Sequence, residues 1–503
     1  MIRLVPMSLR IGFVFDDTLD VLDGVQQHIV TLGQELARRG HEVHYLVGET
    51  HDSPVPNTHP MSRNVMVRFN GNRMRIPLPA NTRHIREVLD EYDFDILHVQ
   101  APYSPFMAAR VLDHAHQRTG VVATYHIASA DLASRIGGRA LGLVNMHSHR
   151  RVDEVIAVSQ IAAQYAEQTA HVRGVVIPNP VDVDRFAGAS PTHAIVQGDT
   201  ASAHSSEGPL AVFLGRFVPR KGAELLLDAV EYGEEHDLFP RGFHVRFAGK
   251  GPLLDECRER ASHLRTPIEF LGFVEEEEKP KLLASADVAI FPATGGESFG
   301  IVLLEAIASN AGVTLAGDNP GYRSTMLDDE DSLFPVSGTD RARILAERIA
   351  RALTDEPWAA DLHAREAGLL DRYNVRTVTD QVEQVYGQAM AALTHIVRDR
   401  CPQGPGTRAS SKCLRALRVE HAPQRGFRAP VGIGCTKASG VNLRTVEILG
   451  VVDNELAARR HFVAHEQAED VVRLLGVLHA DATQQTRARI HRRVGKLVRV
   501  HLT

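Results

Sequence analysis

Val288-Ala289-Ile290-Phe291-Pro292-Ala293-Thr294-Gly295-Gly296-Glu297-Ser298-Phe299-Gly300-Ile301-Val302-Leu303-Leu304-Glu305 reads as one strand–turn–helix unit, and this unit decides the fold. Its first four residues form a short apolar run of strand length, and the helical run opens after the glycines. Ser298 is a good N-cap and Gly300 lets a ligand approach the backbone. The free N–H groups of the turn, those of Phe299, Ile301 and Val302 among them, then face whatever lies in front of the helix. Two carboxylates flank that helix start. Glu297, just outside, is placed to accept polyol hydroxyls. Glu305, two turns in, lies about 12 Å along the axis at about 1.5 Å per residue, roughly the reach from a sugar through a diphosphate to a ribose.

The same strand-to-helix alternation extends in both directions. Strands are expected at 211–214, 243–248, 268–271, 288–291 and 313–316, and earlier at 10–15, 43–47, 96–99, 121–125, 155–158 and 175–177. Between the strands at 10–15 and 43–47, residues 25–39 form a helix that ends at Gly40, a good residue to follow a helix. The fold class is α/β, with two Rossmann-like domains facing a cleft. The expected domains are an N-terminal domain over 1–187, a Ser/Thr/Ala/Gly/His-rich linker over 188–208 and a C-terminal domain over 209–372. Val375, Val378, Val382, Val385 and Ala389 recur at helical spacing in an amphipathic helix over 373–398. Pro402-Gln403-Gly404-Pro405-Gly406 then opens a tail, 401–503, of unknown role.

Composition narrows the classes. The 503 residues are 44% hydrophobic and 23% charged, enough for two or three ordinary cores. No uncharged apolar run reaches 18 residues and the first ten residues carry no signal-peptide core, so the expectation is a cytoplasmic protein, peripheral to membranes at most. Cys257, Cys401, Cys413 and Cys435 are sparse and lack CxxC spacing, so they read as free thiols, with neither a disulfide framework nor zinc. The net charge of −6 conceals a split. Residues 401–503 carry 17 basic against 8 acidic side chains, a net of +9, and the preceding 400 residues carry −15. A basic tail of this kind suits an anionic surface or is a solvated extension, and no specific nucleic-acid or protein partner is inferred.

Directly after the strand at 211–214 stands Gly215-Arg216-Phe217-Val218-Pro219-Arg220-Lys221-Gly222, which supplies cations for a diphosphate. Singly, Glu297 is readable as a solvated loop acid, Glu305 as an exposed helix position, and Arg216 and Lys221 as surface charges. As a pair of complementary motifs on strand-to-helix turns, they resemble the nucleotide-sugar site of the retaining glycosyltransferases of family 4. The resemblance implies that Arg216 and Lys221 neutralise the diphosphate, Glu297 holds the transferred sugar and Glu305 holds the ribose. It implies a glycosyltransferase B fold, with 1–187 as the acceptor domain, 209–372 as the nucleotide-sugar domain and the helix over 373–398 crossing back to the first domain, and no required cofactor, since the nucleotide sugar is itself the substrate.

Further segments extend the resemblance. Gly215, Gly249 and Gly251, in and after strand ends, would admit the nucleotide, and the backbone at Phe273 would read the base edge. Asp20-Val21-Leu22-Asp23-Gly24-Val25-Gln26-Gln27-His28 is similar to the family's G-G-V-x-x-H loop, with Asp23 in place of the first glycine. His126, at the end of a strand, would face the transferred sugar. Residues 9–395 look like the bacterial phosphatidylinositol mannosyltransferases, which implies GDP-mannose as donor and a lipid-linked polyol such as phosphatidylinositol as acceptor. Gln26, with Asp20 and Tyr103, would then meet the acceptor head. Arg83, His84 and Arg86, on a helix whose other face is Ile85, Val88 and Leu89, would meet an anionic membrane surface. Two acceptor-side stretches depart from the pattern, Gln100-Ala101-Pro102-Tyr103 and Asp318-Asn319-Pro320-Gly321-Tyr322. The alternatives are a UDP-glucose or UDP-N-acetylglucosamine transferase acting on diacylglycerol or a soluble acceptor, and a non-catalytic nucleotide-sugar binding protein. A dinucleotide oxidoreductase is disfavoured because the first βα turn lacks GxGxxG. Asp182-Val183-Asp184 looks like a D-x-D metal motif but follows Pro180 at the crossing between domains and reads as structural, so no metal is assigned.

Overall fold

The computed structural model describes residues 8–69, 72–102, 106–126, 149–188 and 208–400. The expected acceptor residue Tyr103, most of the 188–208 linker and the 401–503 tail, with Cys401, Cys413 and Cys435, lie outside them. One compact unit, Met1–Met66 with Arg75–Pro402, contains both of the sheets that carry the motifs.

The first sheet is built from β1 (Arg10–Phe15), β2 (Glu42–Val47), β3 (Thr58–Pro60), β6 (Ile96–Gln100), β7 (Gly120–Tyr125), β8 (Glu154–Ala157) and β9 (Val175–Val176), in the order β3-β2-β1-β6-β7-β8-β9. Its strands pair in parallel, from Arg10 opposite Glu42 to Ala157 opposite Val176. A separate two-stranded ribbon joins β4 (Asn64–Phe69) to β5 (Asn72–Pro77). The second sheet, β10 (Leu210–Leu214), β11 (His244–Ala248), β12 (Ile268–Gly272), β13 (Val288–Phe291), β14 (Val313–Gly317) and β15 (Leu333–Phe334), runs β12-β11-β10-β13-β14-β15 and is also parallel.

Helices cover both faces of such sheets, which is why the central strands read as unbroken apolar runs. All four residues of β13 are buried, and full burial of each of Val288, Ile290 and Phe291 contributes about 1.5–3 kcal/mol. The helix Val375–Arg400 completes the first sheet's core: Val378, Val382, Val385, Tyr386 and Ala389 pack with Ile11, Phe13, Val122 and Ile156. The chain passes between sheets twice, and the crossings are pinned to each other. Val181 N–H donates to Tyr373 O at 2.8 Å and Val375 N–H to Val181 O at 2.8 Å. Asp182 caps the short helix Val183–Ala187 through Arg185 N–H at 3.3 Å, and Asp184 pairs with Arg376. The D-x-D pair is therefore engaged in holding the crossing.

Strands β3, β4, β5 and β15 are not among those expected from the sequence. Two or three residues, as in β3 and β15, are too few for any periodicity to register. The ribbon does leave a signal, Asn70-Gly71 between its strands in the sequence, a dipeptide typical of hairpin turns.

Candidate functional site

In the second sheet β10 lies between β11 and β13, so the chain first builds away from β10 on one side and then returns to build on the other. Ligands of open α/β sheets bind outside the carboxyl ends of the two strands flanking such a reversal. The loops that leave those ends are residues 215–222 after β10 and 292–300 after β13, the two motifs of the sequence.

The loops are joined at four points. Gly222 has φ +72°, and a Cβ there would stand 2.0 Å from Pro292 O. The Arg220 carbonyl accepts from Thr294 N–H at 2.8 Å. Lys221 Nζ meets Glu297 Oε1 at 3.0 Å, and the Arg220 guanidinium pairs with the same oxygen. Glu297 is thus a half-enclosed carboxylate, 15% exposed at the side chain, held by two cations from the neighbouring loop. Gly222→Ala is expected to separate the loops: left-handed backbone strain costs about 1–3 kcal/mol and the carbonyl clash adds to it. Chemical denaturation would measure the loss, and unchanged stability would show that the loops do not need this contact.

Several expected roles change once the packing is known. The helix begins at Ile301 with Gly300 at its N-cap position and no side-chain cap, so Ser298 does not cap it. Residues 297–300 are therefore not helical, and the helical rise cannot be applied across all of Glu297 to Glu305. Gly300 is buried, and a Cβ there would press on the Tyr322 ring at 2.7 Å. Its smallness makes room for Tyr322, which packs beneath the turn. Gly249, with φ +136°, would meet Gly215 O at 1.9 Å, and Gly251 would meet Phe217 O at 2.3 Å. These two glycines bring the loop after β11 against the loop after β10. Phe299 is buried, Ile301 and Val302 are partly buried at the helix start, and Arg216 is exposed with no ion-pair partner among the described residues. Phe273 is 57% exposed with Lys250 Nζ 5.2 Å from its ring centre.

Glu305 is 2% exposed on the helix Ile301–Ala308, and its carboxylate accepts a hydrogen bond from Gln27, on the helix Gly24–Arg38 of the first sheet. Burial raises the Glu305 pKa; Lys279 opposes this and Glu276 adds to it. For Lys279 burial works against the charge, but Glu305 and Glu276 outweigh it and raise the pKa, and Glu276 forms an ion pair with it. One helix start from the first sheet thus touches the acid that ends the second sheet's motif.

At the carboxyl ends of the first sheet, His126 is buried and its Nε2 lies 2.7 Å from Gln100 Oε1. His98 spans Tyr386 OH at 2.8 Å and Thr124 Oγ1 at 2.6 Å. The His28 ring stands edge-on to His126 with centroids 4.8 Å apart. Burial holds the pKa of His126 and His98 well below the ordinary histidine value and that of His28 at about 4. This end of the sheet therefore offers neutral hydrogen-bonding groups. Gln26 is buried, while Gly24 is exposed with open space where a Cβ would stand. Asp20 accepts from His51 N–H and Asp52 N–H, both at 2.8 Å, which commits much of its acceptor capacity to a neighbouring loop.

On the helix Thr82–Tyr92, Ile85, Val88 and Leu89 are buried, and Arg83, His84 and Arg86 are exposed. Arg83 Nε pairs with Glu87 at 2.8 Å, which reduces the free positive charge of that face. Arg220, Gln27, Glu276 and Lys279 are not among the site residues expected from the sequence. Arg220 stands inside the first motif without a role of its own there; the other three lie outside both motifs, and their approach to Glu305 depends on tertiary packing.

The family described as Glycosyltransferase Family 4 matches residues 22–185, and that described as Glycosyl transferases group 1 matches residues 199–367. A phosphatidyl-myo-inositol mannosyltransferase of Mycobacterium tuberculosis is 31% identical over 388 residues, spanning 75% of this chain and 96% of that protein. One of Mycolicibacterium smegmatis is 33% identical over 382 residues, 75% of this chain and 93% of that protein. Among solved structures, a glycosyltransferase from Rickettsia africae superposes with a TM-score of 0.55 at 15% identity, covering 76% of this chain and 99% of that one. Anabaena HepE in complex with UDP superposes with a TM-score of 0.55 at 17% identity, covering 75% and 100%. At these identities the structures speak for the fold, two parallel-sheet α/β domains of the glycosyltransferase B type.

Proposed function

Because the chain belongs to glycosyltransferase family 4 and is a glycosyltransferase, we propose that it moves mannose from GDP-mannose, with retention, onto a lipid-linked polyol such as phosphatidylinositol. The observation that carries this reading is the double engagement of Glu297 by Lys221 and Arg220 at the strand-order reversal, from a loop that also carries exposed Arg216. Positive charge there stabilises a departing diphosphate, and preorganised charge of this kind often contributes more to catalysis than any other single effect. Glu297 accepts hydroxyls of the transferred sugar, and Glu305 accepts those of the nucleotide ribose. The acceptor hydroxyl attacks the same face of the sugar from which the diphosphate leaves, and passes its proton to a donor-phosphate oxygen.

His126, uncharged and set at the end of β7, suits a polyol rather than an anion. Mannose and an inositol lipid are supported by the names of the relatives covered almost end to end. Cytoplasmic residence with peripheral docking through the 82–92 helix fits an acceptor in the inner membrane face; among the described residues no helix is long and apolar enough to cross a membrane. A UDP-dependent transfer is the second reading, favoured by a 25% identical Arabidopsis thaliana relative that is named as part of a phosphatidylinositol N-acetylglucosaminyltransferase.

A thermal-shift panel of GDP-mannose, UDP-glucose and UDP-N-acetylglucosamine separates these readings. GDP-mannose at 100 times its dissociation constant is expected to stabilise the protein by about 2.7 kcal/mol. A shift with a UDP sugar alone would transfer the reading to the second donor class, and labelled-donor turnover would separate an enzyme from a mere binder.

A further inference from the structure

We propose that Arg220 is a positioning residue for the sugar-binding carboxylate: it holds Glu297 in place while Lys221 turns to the donor diphosphate. The inference rests on the reading of Glu297 as the sugar-holding acid. Its basis is that Arg220 is bound to the Glu297 loop by both its backbone carbonyl and its guanidinium, while Lys221 meets that loop through its ammonium. The Arg220 carbonyl accepts from Thr294 N–H at 2.8 Å, and its Cδ lies 3.5 Å from where a Cβ on Gly296 would stand. Its guanidinium then closes on Glu297 Oε1. Backbone and head of one residue thus hold Thr294 and Glu297, and its stem lies alongside Gly296.

Lys221 touches the same oxygen at 3.0 Å. Two cations on one carboxylate oxygen are more than is needed to keep it in position. The two are also chemically unequal. A guanidinium is planar, permanently charged and little able to reorient once docked, whereas an ammonium on a four-carbon stem swings at small cost and carries three donors. When a diphosphate enters between the loops, Lys221 is the cation free to turn to it. Arg220 remains on Oε1, and Oε2, which takes no hydrogen bond among the described residues, stays available to a sugar hydroxyl. Without the guanidinium, Lys221 still turns to the phosphate, and the carboxylate it leaves would drift from the sugar. Displacements of about 1 Å at a reacting centre can cost about 10²-fold in rate.

The test compares Arg220→Ala, Arg220→Lys, Arg216→Ala and Glu297→Gln in the full chain. The readouts are labelled-sugar turnover, the dissociation constants of GDP and UDP by calorimetry, and unfolding midpoints. Arg220→Ala is expected to lower kcat by about 10- to 100-fold while the preferred diphosphate binds within about threefold of the parent, and Arg220→Lys is expected to regain part of the rate. Arg216→Ala is expected to weaken binding of the diphosphate itself. An Arg220→Ala protein that loses diphosphate affinity as Arg216→Ala does would make Arg220 a phosphate ligand, and one with parental kcat would give it no role; either result overturns the proposal. If Arg216→Ala and Glu297→Gln also keep parental turnover, the underlying site reading falls instead. Arg220→Lys keeps a cation in the loop, so the proposal remains testable should the alanine variant fold poorly.

Discussion

Lys221→Ala and Arg216→Ala are each expected to reduce glycosyl transfer by about 10²–10³-fold, and the double variant to abolish it. Each removes one preorganised cation from the charge that develops on the departing diphosphate, and losses of about 3–4 kcal/mol are usual for a single donor in comparable sites. The two substitutions should differ in kind. Arg216 is exposed and has no ion-pair partner among the described residues, so its loss leaves the loops intact and should weaken diphosphate binding and turnover together. Lys221 meets Glu297 at 3.0 Å, so its loss also changes the sugar-side carboxylate, and kcat should fall further than affinity. Because Arg220 shares that carboxylate oxygen, substitutions at 220 and 221 should be non-additive, as for any pair acting on one group. Steady-state kinetics with the donor preferred in the thermal-shift panel provide the measurement. Near-parental rates in a folded double variant would remove the basis for assigning the diphosphate to this pair of loops.

These side chains are legible in the sequence because motif and fold signal coincide there. An apolar run such as Ala211 to Leu214 or Val288 to Phe291 marks a buried parallel strand, and a polar, glycine-bearing stretch right after it must be a carboxyl-end loop. Strand order is not legible. That β10 neighbours β13, which makes the two loops adjacent, follows from tertiary pairing across more than seventy residues. Glycine roles escape for a related reason: Gly249, Gly251 and Gly300 are small because a backbone or ring lies against them, and a sequence does not reveal which neighbour demands the space. Ser298 has the chemistry of a cap, but the helix starts at Ile301, where the turn beneath Gly300 settles on Tyr322. Gln27 reads as an ordinary polar residue of a first helical turn, and only the meeting of the two sheets brings it to Glu305.

A second large effect is expected far from the motifs, in the pH dependence of stability. Glu366, on the helix Glu356–Ala367, is 2% exposed; its carboxylate accepts from Thr314 N–H at 3.0 Å and Ser332 Oγ at 3.0 Å. Burial pushes its pKa up to about 8, more than the two hydrogen bonds pull it down. The ordinary glutamate value in an unfolded chain is about 4.3, so the folded protein retains a proton that the unfolded chain has released over the interval between them. The raised value means that this stability is fully present below about pH 4 and is lost as pH rises through about 8, at up to about 1.4 kcal/mol per pH unit. His28, His98 and His126 act in the opposite sense: with folded pKa values depressed by burial, they contribute stability that is present above about pH 6.5 and lost as pH falls. The window from about pH 6.5 to 8 therefore leaves these histidines out, and a substitution at 366 separates this carboxyl from Glu305, whose pKa burial also raises. Glu366→Gln, neutral at every pH and still offering a carbonyl oxygen to Thr314 or Ser332, should flatten the stability profile in that window and equal or exceed the parent at pH 8. Glu366→Ala should be weaker throughout, since it leaves two buried donors without an acceptor. Denaturant unfolding at half-unit pH steps decides the matter: a parent profile that is already flat between pH 6.5 and 8, or a glutamine variant as steep as the parent, would mean that the buried carboxyl is ionised in the fold and stabilised by its donors alone.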